Sequence, residues 1–255
     1  KIMEYEAVHD ISDWQDLQNR VAASDRRLYA FFHPALPDEP LIFIEVALMK
    51  EVPNSIMPIL DLSVKPIDPH NANTAVFYSI SNCQMALKGV SFGSFLIKQV
   101  VSEIQKEFKE IKQFVTLSPI PGLRKWAHKG NSSHDIEFPD NIAKDISDCC
   151  NKEEPNQLAL MRLTYYYLTQ IKNKNGDAIN PVAHFHLGNG ASIYKIHTHA
   201  NNNQIAIDDS WGVMVNYLYD LDVVAKNHES YANQEPPAVS PKLTKLIQSK
   251  KKKIL

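Results

Sequence analysis

The chain has 255 residues, 44% of them hydrophobic and 22% charged, an ordinary balance for a globular protein with a core of its own. A formal net charge of −2 argues against a global basic field for nucleic acid. No apolar run approaches the ~20 residues of a membrane helix, and the best stretch, 41–49, is interrupted by Glu45. Cys83, Cys149 and Cys150 are an odd set with two adjacent members, so a reducing compartment is expected rather than a disulfide framework. The run Lys250-Lys251-Lys252-Lys253 reads as a solvated tail. The chain opens on Lys1 with no signal-peptide pattern, as a fragment or a processed product would.

In chain order, residues 4–22 read as a helix with Trp14, Leu17 and Val21 on its buried face. Strands over 28–33 and 41–49 follow, joined as an antiparallel hairpin by the turn-rich 34–40. A short helix is expected over 56–60, a loop over 61–73 and a central strand over 74–80. Phe92, Phe95, Leu96, Val100, Val101, Ile104 and Phe108 share the three-and-four spacing of one helix face over 92–108. A strand over 114–118 is stopped by Pro119 and Pro121. Residues 128–156 read as a loop with one short helix, and 158–168 as a helix whose Tyr165-Tyr166-Tyr167 run packs. Three strands are expected over 182–187, 191–197 and 213–219, then an extended tail from 233 and a short terminal helix. The order predicts an α/β protein with a mixed sheet, one domain over 1–255, and a strand–helix–strand crossover at its centre.

Between the central strand and the long helix lies Lys88-Gly89-Val90-Ser91-Phe92-Gly93-Ser94. Glycines at a helix start let backbone amides approach an anion, and the helix dipole favours phosphate. A plain capped helix entry has the same spacing, so the motif alone leaves both readings open. The arrangement resembles the pyrophosphate-binding turn of the GCN5-related acyltransferase-like fold. That resemblance implies coenzyme A on the turn and an acyl chain between two splayed strands.

A more specific resemblance runs through seven blocks in order. They are 77–81, 93–98, Leu117-Ser118-Pro119-Ile120-Pro121-Gly122 with Lys125-Trp126, 161–163, Asn180-Pro181-Val182-Ala183, Phe185-His186-Leu187 with Asn189-Gly190-Ala191, and Asn216-Tyr217 with Tyr219. Together they resemble the malonyl-CoA decarboxylase family over about residues 6–220. The resemblance implies decarboxylation of malonyl-CoA to acetyl-CoA and CO2, a place in fatty acid metabolism, and no cofactor beyond the CoA of the substrate. It implies catalytic roles for Ser118 and His186, activity-linked roles for Ser79, Tyr219 and Ser91, and, with the turn resemblance, CoA or substrate contacts from Lys88, Gly89, Val90, Ser91, Phe92, Gly93, Ser94 and Asn216. Ser91 stands where the family commonly has Glu, and 126–158 is shorter than in animal members. The family's N-terminal helical domain is not matched in this chain. Expected partners are an acyl-CoA, no nucleic acid, no membrane, and further copies of the chain. The expected compartment is the cytoplasm or the mitochondrial matrix, since Lys253-Ile254-Leu255 is not a peroxisomal address.

Decarboxylating a malonyl thioester leaves an enolate. Its formation needs donors at the thioester oxygen and an acid for the carbanion carbon. Negative charge leaves the carboxylate in the transition state, so a cation gripping it would stabilise the ground state more. A neutral hydroxyl such as Ser118 suits that place, and an imidazole such as His186 suits proton delivery. Three alternatives share these residues. A CoA-dependent acyltransferase would need a general-base carboxylate, and the central blocks offer none. A non-catalytic acyl-CoA-binding protein would bind malonyl-CoA without turnover. A metal site could use His184 with His186, His197 with His199, and Asp208 with Asp209 on neighbouring strands.

Overall fold

A computed structural model describes residues 1–84, 93–132 and 137–248. The elements are α1 (Ile2–Tyr5), α2 (Trp14–Ala22), β1 (Arg26–His33), β2 (Leu36–Met49), α3 (Met57–Leu60), β3 (Thr74–Asn82), α4 (Gly93–Glu107), β4 (Gln113–Thr116), β5 (Ser118–Pro119), α5 (Leu123–Ser132), α6 (Asp140–Cys150), α7 (Gln157–Thr169), α8 (Pro181–Gly188), β6 (Ser192–His197), α9 (Gln204–Ser210), β7 (Met214–Leu218), α10 (Val224–Ala232) and α11 (Pro241–Gln248). The chain divides into two compact units, Lys1–Ser118 with Leu218–Asp220, and Pro119–Tyr217 with Leu221–Leu255.

In the first unit β1 and β2 form the expected antiparallel hairpin, and β2 pairs antiparallel with β3. β3 then pairs parallel with β4 through the crossover helix α4. Val115 of β4 faces Leu218 on its other side. Phe43, Ile44, Val46, Leu48, Val76, Phe77, Phe114 and Val115 are buried in this sheet, and Val100, Val101 and Ile104 of α4 are buried as their spacing predicts. The register of β2 with β3 slips by one between Glu45/Ser79 and Val46/Phe77, which leaves Tyr78 as an extra residue in a bulge.

The first helix departs from expectation. It is broken at residues 6–13, and its supposed core face points outward, with Trp14 73% and Val21 38% exposed. Asp16 and Arg20 are buried instead. Arg20 satisfies its guanidinium almost entirely inside the protein. It donates to Asp16 at 2.8 and 3.1 Å, to the His9 carbonyl at 2.7 Å and to the Asp10 carbonyl at 2.9 Å. Its Nη1 also lies 3.6 Å from Glu45 on β2. An arginine can be buried at tolerable cost only when its donors find such partners, and these outweigh the apolar stripe.

In the second unit, the one short helix expected within 128–156 is α6, and α5, which starts at Leu123, was not anticipated; α6 packs on α5 and on α7. Ile142, Ile146 and Cys149 give α6 a buried face at helical spacing that the polar context obscures. Arg162 of α7 closes a two-pronged pair with the buried Asp145 of α6. Tyr167 is buried against Trp126, with ring centroids 5.0 Å apart. Residues 182–187, expected as a strand, are helix α8. Asn180 caps it by accepting the Ala183 N–H at 2.8 Å, Pro181 occupies its first turn, and Gly190 follows at φ +82°. β6 and β7 form as expected and pair with each other, whereas α9 and α10 were not anticipated.

Glu45 is buried, near Glu6, and only partly compensated by Arg20. Burial first, then Glu6, pushes its carboxyl from 4.5 up to about 7. The folded state therefore binds more protons than the unfolded chain between those values, and stability falls as pH rises through that window. In Glu45→Gln this slope should vanish. The variant-minus-parent unfolding free energy, followed by urea denaturation, should rise by about 1–3 kcal/mol from pH 4.5 to 7.5. A difference independent of pH would contradict a costly buried charge at Glu45.

Candidate active site

The first unit places three of the expected residues around the end of one strand pairing. β3 and β4 share register from Thr74/Gln113 to Phe77/Thr116, and the Leu117 N–H closes the run on the Phe77 carbonyl at 3.0 Å. Beyond it β3 continues to Asn82 in register with β2, while the other arm carries Ser118. The shared register of the two central strands therefore ends at Phe77.

Ser118 is buried, and its hydroxyl donates to Thr116 Oγ1 at 2.9 Å. Tyr219 is buried edge-on to Phe77, with centroids 6.3 Å apart at 77°, and its N–H donates to the Phe114 carbonyl at 2.9 Å. Ser79 lies two residues along β3 from Phe77. Its hydroxyl is 2.8 Å from both carboxylate oxygens of Glu6 and 3.3 Å from Ser81 Oγ. Glu6 also accepts the N–H groups of Val8 and His9 at 2.8 and 2.9 Å and the Ser81 hydroxyl at 3.3 Å. Ser79 thus anchors the N-terminal segment through a carboxylate 73 positions away, a contact with no sequence signal.

The second unit holds His186 and Asn216. His186 is buried on α8, its ring stacked on Tyr217 at 4.6 Å and 27°, with Phe185 against it edge-on at 5.0 Å. Burial lowers its pKa from 6.5 to about 3, so the imidazole is neutral at neutral pH. The expectation that His186 and His184 share a strand face fails, because two helical positions are ~200° apart. His184 instead meets the Tyr231 hydroxyl at 3.1 Å and lies 3.8 Å from Asp177. Asn216, fully buried, pairs through Oδ1 with His197 Nε2 at 2.7 Å. Burial lowers the His197 pKa and the Asn216 hydrogen bond opposes it. Asn216 and Tyr217 are successive on β7, so they face opposite sides and serve different histidines.

Tyr217 beneath His186 and Glu6 on Ser79 were not singled out from the sequence. The helical course of α8 was legible, since Asn180-Pro181 is a helix start and Gly188-Asn189-Gly190 a stop. Lys88, Gly89, Val90, Ser91 and Phe92 lie outside the described residues, as does the lysine run. Of Gly93 and Ser94 only the helical backbone of α4 is described. The proposed pairing of two His-x-His motifs on neighbouring strands is overturned, since His184 and His186 are helical. Among the described residues no group of three or more His, Cys, Asp or Glu could hold a metal ion. None of the described helices is long and apolar enough to cross a membrane.

Comparison with known proteins places these features in a family. The family model for the malonyl-CoA decarboxylase C-terminal domain matches residues 1–255. The mitochondrial malonyl-CoA decarboxylase of Anser anser anser is 38% identical over 91% of this chain and 51% of its own length, and that of Mus musculus is 36% identical over 97% and 56%. The chain thus spans about half the length of these curated relatives. The crystal structures of malonyl-CoA decarboxylase from Rhodopseudomonas palustris and Agrobacterium vitis superpose with TM-scores of 0.86 and 0.88. They are 42% and 39% identical, covering 96% and 97% of this chain and 62% and 63% of theirs. A GNAT-like decarboxylase, GphF, solved with isobutyryl-CoA, shares the fold at TM-score 0.50 and 16% identity over 80% of this chain and 83% of its own. With the family model covering its whole length and relatives of more than 35% identity beside it, the chain belongs to the malonyl-CoA decarboxylase C-terminal domain family.

Proposed function

We propose that this protein decarboxylates malonyl-CoA to acetyl-CoA and CO2 without a metal or organic cofactor, CoA entering as part of the substrate. The observation that carries the reading is Ser118, a buried neutral hydroxyl at the point where β3 and β4 part, on a family match over the whole chain. In this reading Ser118 orients the malonyl carboxylate without holding its charge. Loss of CO2 moves the electron pair into the thioester, where the negative charge resides on the enolate oxygen. A cation at the carboxylate would oppose that movement and a hydroxyl does not.

His186 delivers the proton to the enolate carbon. Its neutral state is compatible with that role, since a neutral imidazole N–H is a donor and a thioester enolate is strongly basic. The resulting imidazolate recovers a proton from solvent. Tyr217 fixes the ring plane of His186 by stacking, and Tyr219 packs beside the strand ends. The CoA pyrophosphate is assigned to residues 88–94, with Ser91 in place of the family's usual Glu. An amine acyltransferase would need a free carboxylate as base. Glu6, the carboxylate bound by serines of β3, has its oxygens committed to Val8, His9, Ser79 and Ser81, which favours decarboxylation. A mitochondrial matrix or cytoplasmic location and self-association complete the proposal; the names of the curated relatives say mitochondrial.

A coupled assay should detect acetyl-CoA released from malonyl-CoA, with methylmalonyl-CoA as the comparison substrate. Tight malonyl-CoA binding without acetyl-CoA release would instead support a binding protein. His186→Ala should lower kcat by about 10²–10⁴-fold with little change in KM, and equal losses in turnover and binding would contradict a proton donor. Ser118→Ala should cost about 10²–10³-fold in kcat/KM, the scale of one lost donor at a site of moving charge. Near-parental activity in that variant would remove Ser118 from the chemistry.

A further inference from the structure

We infer that Asn180 is a positioning residue that ties the turn following Ser118 to the helix carrying His186, an inference that rests on the roles proposed for those two residues. Asn180 is fully buried in the second unit. Its Oδ1 accepts the Ala183 N–H at 2.8 Å and so caps α8. Its Nδ2 donates at 2.9 Å to the carbonyl of Pro121, 59 positions earlier in the chain. Capping alone does not require asparagine, because Asp and Ser cap about as well. Asp has no donor and Ser must accept and donate through one short hydroxyl, whereas the amide accepts from the helix through Oδ1 and donates to a distant carbonyl through Nδ2.

The turn it grips is held from other sides. The Tyr167 hydroxyl of α7 donates to the same Pro121 carbonyl at 3.3 Å, so both lone pairs of that oxygen are engaged. The next N–H, that of Gly122, donates to Asp209 of α9 at 2.8 Å. Gly122 sits at φ +78°, a conformation glycine adopts without strain. Ser118 lies three residues upstream on a segment stiffened by Pro119 and Pro121. His186 lies six residues beyond Asn180, within the helix it caps. One buried amide therefore transmits the position of the Pro121 carbonyl to the start of α8. Reacting groups on both segments depend on that kind of support, since a misplacement of about 1 Å can cost ~100-fold in rate.

The test pairs two variants that act on one carbonyl. Asn180→Ser keeps a capping acceptor and removes the long-range donor. It should lower kcat about 10–100-fold while KM for malonyl-CoA stays within about 2-fold. Tyr167→Phe, which leaves the cap intact, should lower kcat several-fold, and the double variant should lose little more than Asn180→Ser alone. Unchanged kcat in Asn180→Ser, a KM that rises in step with the loss, or additive losses would overturn the inference. If the parent protein forms no acetyl-CoA, the decarboxylase reading fails, and amide hydrogen exchange then decides the tie by itself. Asn180→Ser and Tyr167→Phe should both speed exchange at residues 122–124 while α6 is unaffected, and unchanged exchange at 122–124 in both would overturn it.

Discussion

Parallel strands that stay hydrogen-bonded along their whole length leave no space between them. β3 and β4 keep register for four residue pairs, and then the Leu117 N–H closes on Phe77 and the shared register ends. Everything proposed for the first unit follows from that stop. Ser118 lies just past it on one arm and Ser79 just past it on the other. Tyr219 packs on the last paired side chain, Phe77. The bulge at Tyr78 occurs at the same level of β3, where a slipped register bends the strand and raises its twist. Pro119 and Pro121, which lack N–H groups, donate nothing to a ladder on the other arm.

Burial governs charge in both units, with different consequences. In the second unit it holds His186 and His197 below their ordinary range, so neutral imidazoles face Tyr217 and Asn216. In the first unit Arg20 keeps its charge because carboxylate and carbonyl oxygens surround it, and desolvation instead pushes Glu45 upward. A buried ion pair of this kind stabilises weakly against an apolar replacement, yet losing one partner leaves an uncompensated charge. It secures a connection: through His9, Asp10 and Asp16, Arg20 fastens the N-terminal segment whose Glu6 in turn holds Ser79.

Periodicity read well where a segment buries one continuous apolar face. The crossover β3–α4–β4, the hairpin, α7 and the strands β6 and β7 are of this kind. It failed where apolar and polar residues serve two demands. The stretch Val182-Ala183-His184-Phe185-His186-Leu187 alternates like a strand, yet the cap at Asn180, the proline after it and the glycines beyond favour a helix. On α2 the stripe Trp14–Leu17–Val21 suggested a core face, and no pattern could register that Arg20 would find polar partners on four residues inside. In 128–156 one short helix was expected without a position, which the buried Ile142, Ile146 and Cys149 of α6 supply.

Sequence alone determined the family, the mixed α/β class and the chemical kinds of group available: a serine before proline, a histidine among apolar residues, an asparagine–proline helix start. These depend on residue identity and local order, which the chain carries directly. Tertiary structure decided what each group faces. Glu6 reaches Ser79 across 73 positions and Asn180 reaches Pro121 across 59. His186 lies on Tyr217, and desolvation there selects its neutral form. Hydrogen bonds between distant segments and the loss of water around a titrating group arise only when the chain has closed on itself. Ser118 and His186 were therefore readable as names, while the supports that would hold them in place were not.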